Sequence, residues 1–337
     1  MRRWLLLLAP LVTSGCMLLV GLDDKTLALA PTADAGVDTG VDAGADALDA
    51  PSDDGADVRD AGPCRLDLPF GPLTAEPVLS SGYAEESVRL TPNRLEAYVA
   101  RRTFPNFVEI FHFTRQTVGH AWISAGKEPL LALYPDGGLT SALALTFFSD
   151  GLNAILQYYD NDTGHGRLYS TTRASLGATW SAPALIPELK TDSSDEGPWL
   201  SQDGNTIYFF SDRQTTNPRL YSAARSGSVF GAPKRLPAIN PDNDTYPVLT
   251  GDELTAYFSS FTPIGNTGLE RKLYRATRAS TSQNLGGPTE VTELNADGWK
   301  TVPTWISPDG CELYVIASRP SSANQNTDVY RATKPAN

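Results

Sequence analysis

Acidic residues recur at one position of a repeated segment, three residues before a proline or its equivalent, and they are the best candidates for chemistry. Paired carboxylates suit recognition of polar or cationic ligands, or glycoside hydrolysis, in which two acids flank the scissile bond. The alternative is structural, because such acids also accept backbone N–H bonds and tie neighbouring units together. The candidates, with the acids that directly follow two of them and the one cation at the same position, are Glu85, Glu86, Asp195, Glu196, Asp244 and Lys300.

Other signatures of catalysis or metal binding are missing from the sequence. It contains three histidines, no HExxH or GxSxG motif and no zinc-type Cys-His spacing, which predicts no metal and no cofactor. The acid-rich segment 160–164 (DNDTG) could hold calcium, although such a short segment is more often a turn. Residues 64–337 are only mildly acidic and carry no basic stripe, which argues against a nucleic-acid partner.

A unit of roughly 50 residues recurs five times and predicts the architecture that positions these acids. Each copy contains the end of a strand, a tight turn and the start of a new strand, and Asp-Gly suits the turn because glycine tolerates positive φ. A second element, such as 219–225 (RLYSAAR), follows the turn. Each unit thus supplies about four short strands, as a propeller blade does. The turn residues are Asn93, Asp150, Asp203, Asp252 and Asp309.

The segment 198–213 (PWLSQDGNTIYFFSDR) resembles the TolB-like (WD-like) propeller repeat, and the turn Pro308-Asp309-Gly310 matches that repeat as well. The resemblance covers nearly all of residues 86–334 and implies a β-propeller, but it implies no activity. TolB itself is a periplasmic partner-binding protein with six blades, so six blades are the alternative to five. Because equivalent positions converge on the channel of a propeller, the candidate residues are expected to ring one of its mouths.

The two ends of the folded region indicate how the ring closes. The last unit stops at Lys334 without its final element, and the segment 70–79 looks like the missing piece. We therefore predict an all-β fold, a five-bladed propeller closed by an N-terminal strand that pairs with the C-terminal blade, which removes exposed sheet edges. Cys64 and Cys311 would lie in this composite blade and could form a disulfide, the alternative being two free thiols.

The N-terminal region predicts a membrane anchor and a spacer. Residues 1–22 combine a basic start with an apolar run, and the sequence TSGC at 13–16 resembles a lipobox, with Thr where Leu is usual. The resemblance implies lipidation of Cys16, and an uncleaved transmembrane helix is the alternative. Met17, after the cysteine, implies the outer membrane, on its periplasmic or outer face. Residues 23–63 repeat Asp with Ala and Gly, which predicts a disordered linker before the propeller at 64–337.

These features predict a secreted, membrane-tethered module that binds or scaffolds a partner in the cell envelope. We expect a monomer that contacts the membrane through its lipid, with an envelope protein or a polysaccharide as partner. The alternative is a carbohydrate-active enzyme that uses the carboxylates at the channel mouth. Trp199, Tyr246 and Trp305 could stack on sugars, or could simply pack between blades.

Overall fold

The structure is a computed structural model that describes residues 63–337 except 105–106, 130, 132–141, 161–162, 216, 238–242, 265–267, 297 and 319–325. The predicted anchor at 1–22, with Cys16, and the predicted linker at 23–63, apart from Pro63, lie outside the described residues. Within the described ranges, no helix is long and apolar enough to cross a membrane. The structure there is built mainly from strands, and it includes a short 3-10 helix at Thr292–Leu294.

The strands form five antiparallel sheets in the described part of the chain, and each sheet is one blade. After β1 (Thr74–Ala75), blade 1 contains β2 (Ala84–Leu90), β3 (Glu96–Phe104), β4 (Phe107–Thr114) and β5 (Ile123–Lys127). Blade 2 contains β6 (Ala142–Phe147), β7 (Asn153–Tyr159), β8 (Gly166–Thr172) and β9 (Ala184–Leu185). Blade 3 contains β10 (Asp195–Leu200), β11 (Thr206–Ser211), β12 (Arg219–Ser226), β13 (Val229–Phe230) and β14 (Lys234–Arg235).

Blades 4 and 5 complete the ring. Blade 4 contains β15 (Thr245–Leu249), β16 (Thr255–Ile264), β17 (Gly268–Thr277) and β18 (Thr289–Glu290), and blade 5 contains β19 (Lys300–Ile306), β20 (Glu312–Ser318) and β21 (Asp328–Thr333). The predicted five-bladed propeller is therefore confirmed. The first strands of the blades, β2, β6, β10, β15 and β19, contact one another in a closed circle and surround the central channel.

The predicted closure by an N-terminal strand is also confirmed. Strand β1 pairs antiparallel with β21, placing Thr74 opposite Arg331 and Ala75 opposite Tyr330. A disulfide joins Cys64 to Cys311 with their Cα atoms 5.8 Å apart, a normal separation for such a bond. The first and last parts of the folded chain are therefore held together in blade 5 by strand pairing and by a covalent bond.

The repeated turn follows from the hydrogen bonds of its acidic residue. Asp203 accepts a hydrogen bond from the Ser201 hydroxyl at 2.6 Å and from the backbone N–H of Asn205 at 2.9 Å. Gly204, at φ +71°, adopts the left-handed conformation that this turn requires. The bond from the backbone N–H two residues downstream recurs in the other blades, at Asn93, Asp150, Asp252 and Asp309.

In blades 2 and 5, the second repeated element ends in a basic residue that lies on an aromatic ring. The Arg173 guanidinium is 4.5 Å from the Trp180 ring centroid, and the Lys334 ammonium is 4.5 Å from that of Phe70. In both blades, the residue after the aromatic one donates its backbone N–H to a carbonyl of the third strand. Ser181 donates to Thr172 in blade 2, and Gly71 donates to Thr333 in blade 5. Phe70 thus occupies in blade 5 the place of Trp180 in blade 2, which explains why the N-terminal segment completes that blade.

Candidate functional site

The central channel has two ends with different side chains. The inner strands β2, β6, β10, β15 and β19 begin at one end, which we call the start side, and lead into their tight turns at the other, the turn side. The six predicted residues all lie at or next to the first residues of these strands, and so at the start side. Glu85, Asp195 and Asp244 are buried there, whereas Lys300 is exposed.

Glu85 is held in an ion pair below the surface of the start side. Its side chain is 0% exposed and accepts hydrogen bonds from the Ser81 hydroxyl at 2.6 Å and from Arg101 Nε at 3.1 Å. Arg101 also donates to the backbone carbonyl of Leu79 at 2.9 Å. Ser81 and Leu79 lie in the segment that leads from blade 5 into blade 1. The pair therefore fixes that connection to strands β2 and β3.

Asp195 repeats this arrangement in blade 3. Its carboxylate accepts hydrogen bonds from Arg213 Nη2 at 2.5 Å and from the Thr191 hydroxyl at 3.2 Å, and Arg213 donates to the carbonyl of Leu189 at 3.0 Å. The hydroxyl lies four residues before the acid in both blades, and the carbonyl six residues before it. Asp195 therefore helps to connect neighbouring blades, but it accepts hydrogen bonds from an arginine and a hydroxyl rather than from backbone N–H groups.

Burial decides the protonation of Glu85 more than its partners do. Removal from water raises the pKa of this carboxyl to about 7, although Ser81 and Arg101 act in the opposite direction. Burial also lowers the pKa of Arg101. Both members of the pair therefore lose hydration that their mutual attraction only partly offsets.

Glu86 and Glu196 lie beside these buried acids and have different partners. Glu86 is half-buried and accepts a hydrogen bond from Arg102 Nε at 2.7 Å. Glu196 accepts hydrogen bonds from Tyr159 OH at 3.0 Å and Gln157 Nε2 at 3.1 Å. Burial raises the pKa of Glu196, against the effect of these hydrogen bonds. Glu86 is thus paired with a cation, whereas burial shifts Glu196 toward its protonated form.

Tyr246 and Arg271 bring blade 4 to the same place. The Arg271 guanidinium lies 5.5 Å from the centroid of the Tyr246 ring. Burial raises the pKa of Tyr246 to about 12, and the negative charges of Glu196 and Glu86 contribute to the rise. Burial also raises the pKa of Tyr159, and the same two carboxylates raise it further. These five side chains, which we call the start-side cluster, are therefore within electrostatic range of one another: Glu86, Tyr159, Glu196, Tyr246 and Arg271.

Gly166 makes room for Glu196, and Gly197 follows it directly in the chain. A Cβ atom on Gly166 would lie 2.3 Å from Glu196 Cγ, so a larger residue in β8 would displace the carboxylate. Gly197, at φ +60°, donates its backbone N–H to Gln157 Oε1 at 2.9 Å. The position of Glu196 therefore depends on backbone features of blades 2 and 3.

Tyr159 and Arg271 are members of the cluster that sequence reasoning missed. Tyr159 lies on the second strand of blade 2 and Arg271 on the third strand of blade 4, outside the repeated position that indicated the acids. One signal could have indicated Tyr159. It is the last residue of β7, and Arg101 and Arg102 likewise lie where the pairing of β3 with β2 ends. Hairpin geometry places such residues beside the start of the inner strand.

The turn side contains a cavity of about 200 Å³. The ends of all five inner strands contribute to it, and its wall is largely apolar. Trp199 and Trp305 are 8% and 6% exposed, so they pack between blades as well as lining this cavity. Arg89 of β2 reaches the same space from the channel interior. Each inner strand contributes to the lining of the cavity, and one residue from each strand in turn is Leu90, Phe147, Trp199, Leu249 and Trp305.

The calcium interpretation of segment 160–164 stays a prediction. Residues 161 and 162 lie outside the described residues. Among the residues that are described, no group of three or more His, Cys, Asp or Glu side chains is close enough to hold a metal ion.

The fold and the channel define a five-bladed β-propeller with a polar start side and a largely apolar turn side. No protein-family model and no curated protein matches the chain. Similar solved structures are 7–15% identical to the chain in sequence, which is too low to transfer a function. They include TolB from Acinetobacter baumannii (15% identity, TM-score 0.43, 75% of this chain and 55% of that chain), the catalytic domain of the GH62 α-L-arabinofuranosidase of Coprinopsis cinerea (13%, 0.49, 79% and 98%) and the endo-arabinase of Bacteroides thetaiotaomicron (11%, 0.49, 76% and 96%).

Proposed function

We propose that the chain is a membrane-tethered binding module of the cell envelope that holds a glycan or protein partner on its start side. The start-side cluster draws side chains from four blades and offers carboxylates, phenols and a guanidinium around the channel. Such a set can donate and accept several hydrogen bonds while presenting aromatic faces, as binding sites for polar partners do.

The buried ion pairs at Glu85 and Asp195 are the observation that carries a binding role. These acids were the leading candidates for catalysis, but each is 0% exposed and engaged by an arginine and a hydroxyl. Their geometry is that of structural acceptors, which leaves the neighbouring start-side cluster to meet a partner. The cluster therefore acts through recognition.

A binding experiment with matched variants tests this role. Full-length protein is applied to a glycan array and used to capture partners from envelope extracts, alongside Glu196→Gln and Tyr159→Phe. Each variant removes a hydrogen-bonding group of the cluster, so we expect affinity to fall about tenfold. Glu109→Gln, on β4, the third strand of blade 1, serves as the control and should bind normally. Equal capture by all four proteins would contradict the proposal.

The tether is tested separately, because it depends on residues at the N-terminus. Bacteria that express the chain are grown with an alkyne analogue of palmitate, and the protein is examined for the label. We expect label in the wild-type protein and none in Cys16→Ser. Label that persists in Cys16→Ser, or none in the wild-type protein, would contradict lipidation at this residue.

A glycoside hydrolase is a second candidate because the two cluster acids differ in their surroundings. Burial raises the pKa of Glu196, as a general acid requires, whereas Glu86 is paired with Arg102. Hydrolysis across a glycan panel, lost in both Glu196→Gln and Glu86→Gln but kept in Glu109→Gln, would favour this candidate. Binding without hydrolysis would favour the binding module.

A further inference from the structure

Arg89 is a buried cation whose hydrogen-bonding capacity is only partly used. Its side chain is 1% exposed and lies on β2 inside the channel, at the turn-side cavity. Nη1 donates to the backbone carbonyl of Thr304 in blade 5. Its Nε and Nη2 atoms are also buried, and they have no acceptor among the described residues. The described part of the chain places no carboxylate within ion-pair distance of it.

The two nitrogens without acceptors are the pair that can grip a planar anion. Nε and Nη2 share one edge of the guanidinium, and their N–H groups point the same way. This edge matches the spacing of two carboxylate oxygens, so that two parallel hydrogen bonds can form. Burial also lowers the pKa of Arg89 to about 9, as expected for a cation without a nearby counterion. An anion in the cavity would supply both the charge and the acceptors.

The surroundings of Arg89 restrict what that anion can be. The Trp199 ring lies 5.3 Å from the guanidinium carbon, and with Trp305 it forms an apolar wall. A cavity of about 200 Å³ is smaller than the sites that hold drug-sized ligands, which are roughly 300–1,000 Å³. One cation in an apolar cavity balances one negative charge, and a dianion would leave its second charge desolvated.

We propose that the turn-side cavity is a binding site for a small monocarboxylate with an apolar or ring-shaped body, held by Arg89 Nε and Nη2 against Trp199. The site lies at the opposite end of the channel from the start-side cluster. Tyr246 of that cluster is within electrostatic range of Arg89, but the cavity shares no lining residue with the cluster. The shape of the cavity selects a small molecule rather than a polymer or a protein segment.

Calorimetry with a simple carboxylate tests the site. Benzoate is titrated into the full-length protein, with benzamide as the neutral analogue of the same shape and phenylphosphonate as the dianionic one. We expect benzoate to bind, and benzamide and phenylphosphonate to bind more weakly or not at all. Arg89→Met should weaken benzoate binding about 10- to 100-fold, since it removes two hydrogen bonds to a charged group. Arg235→Met, an exposed arginine on β14, is the matched control and should bind like the wild-type protein.

A second measurement keeps the proposal testable if Arg89→Met fails to fold. Crystals of the wild-type protein are soaked in 4-bromobenzoate, and the anomalous signal of bromine is located. We expect bromine in the turn-side cavity with the carboxylate on Arg89. Unchanged benzoate affinity in a folded Arg89→Met protein, equal binding of benzamide, or bromine located elsewhere would each overturn the proposal. So would the absence of benzoate binding to the wild-type protein.

Discussion

Two buried arginines of blade 1, at opposite ends of the channel, differ in their hydrogen-bond partners. At the start side, Arg101 meets the buried carboxylate of Glu85 and the carbonyl of Leu79. Toward the turn side, Arg89 is more deeply buried and donates to a single carbonyl, that of Thr304. Both residues lie on adjacent, paired strands, so the difference arises from what the neighbouring segments bring to them.

This difference suggests a rule: a buried charge paired with an opposite charge indicates structure, whereas a buried charge without a counterion indicates a ligand. The start-side pairs hold the connections between blades, and their geometry recurs in blades 1 and 3. The arrangement at Arg89 has no such repeat, because the equivalent positions of the other inner strands hold Thr146, Trp199, Val248 and Trp305. A feature that departs from the repeat is more specific to function than one that follows it.

The largest expected effect comes from removing the start-side arginine. Arg101→Met leaves Glu85 buried with only Ser81 as a partner, and we expect the free energy of unfolding to fall by about 3–5 kcal/mol at pH 8. Urea denaturation measures the change. Arg102→Met is the control, because its pair with Glu86 is partly exposed and should contribute less than about 1 kcal/mol. Similar losses for both variants would break the distinction between buried and exposed pairs.

The pH dependence of stability gives the next largest effect. The folded pKa of Glu85 is about 7, above its ordinary value of 4.5, so the folded state binds more protons than the unfolded state between these values. This carboxyl therefore stabilises the fold below about pH 4.5, and that contribution is lost as the pH rises through 7. The loss amounts to at most about 3 kcal/mol.

Glu85→Gln tests this dependence because the amide does not titrate. Relative to the wild-type protein, the variant should become progressively more stable between pH 5 and pH 8, as measured by urea denaturation at several pH values. Glu109→Gln, at a half-buried carboxylate that pairs with Lys127, should show no such gain. A difference between wild type and Glu85→Gln that stays constant with pH would show that Glu85 remains ionised throughout.

The fold could be predicted from sequence because its determinants are local and repeated. The turn at Asp203 depends on hydrogen bonds to residues within two positions of it, and the same spacing at Asp309 marks another blade. The closure was predictable for the same reason, since Phe70 and Gly71 copy the element that Trp180 and Ser181 form in blade 2.

The details of the channel could not be predicted, because the pairing of every inner strand with the second strand of its blade is irregular. The pairing of β2 with β3 shifts register between Glu85 and Ser87, and that of β10 with β11 shifts between Glu196 and Trp199. Such a bulge breaks the alternation that assigns side chains to one face or the other. The sequence therefore predicted that Glu85 and Glu86 lie near one mouth of the channel, without showing which one would be buried in an ion pair.

Arg89→Met is expected to change the free energy of unfolding least. Its effect should be opposite in sign to that of Arg101→Met. Methionine fills a similar volume, loses one bond to Thr304 and the contact with Trp199, and removes a charge that no carboxylate in the described part of the chain offsets. We expect the ligand-free protein to gain about 1–2 kcal/mol in the free energy of unfolding, the opposite sign to the start-side variant. Thermal and urea denaturation measure both. A loss of more than about 1 kcal/mol would mean that Arg89 is structural, like Arg101. A gain would mean that the fold tolerates an unfavourable charge at the turn side, as expected where a site is prepared for an anion.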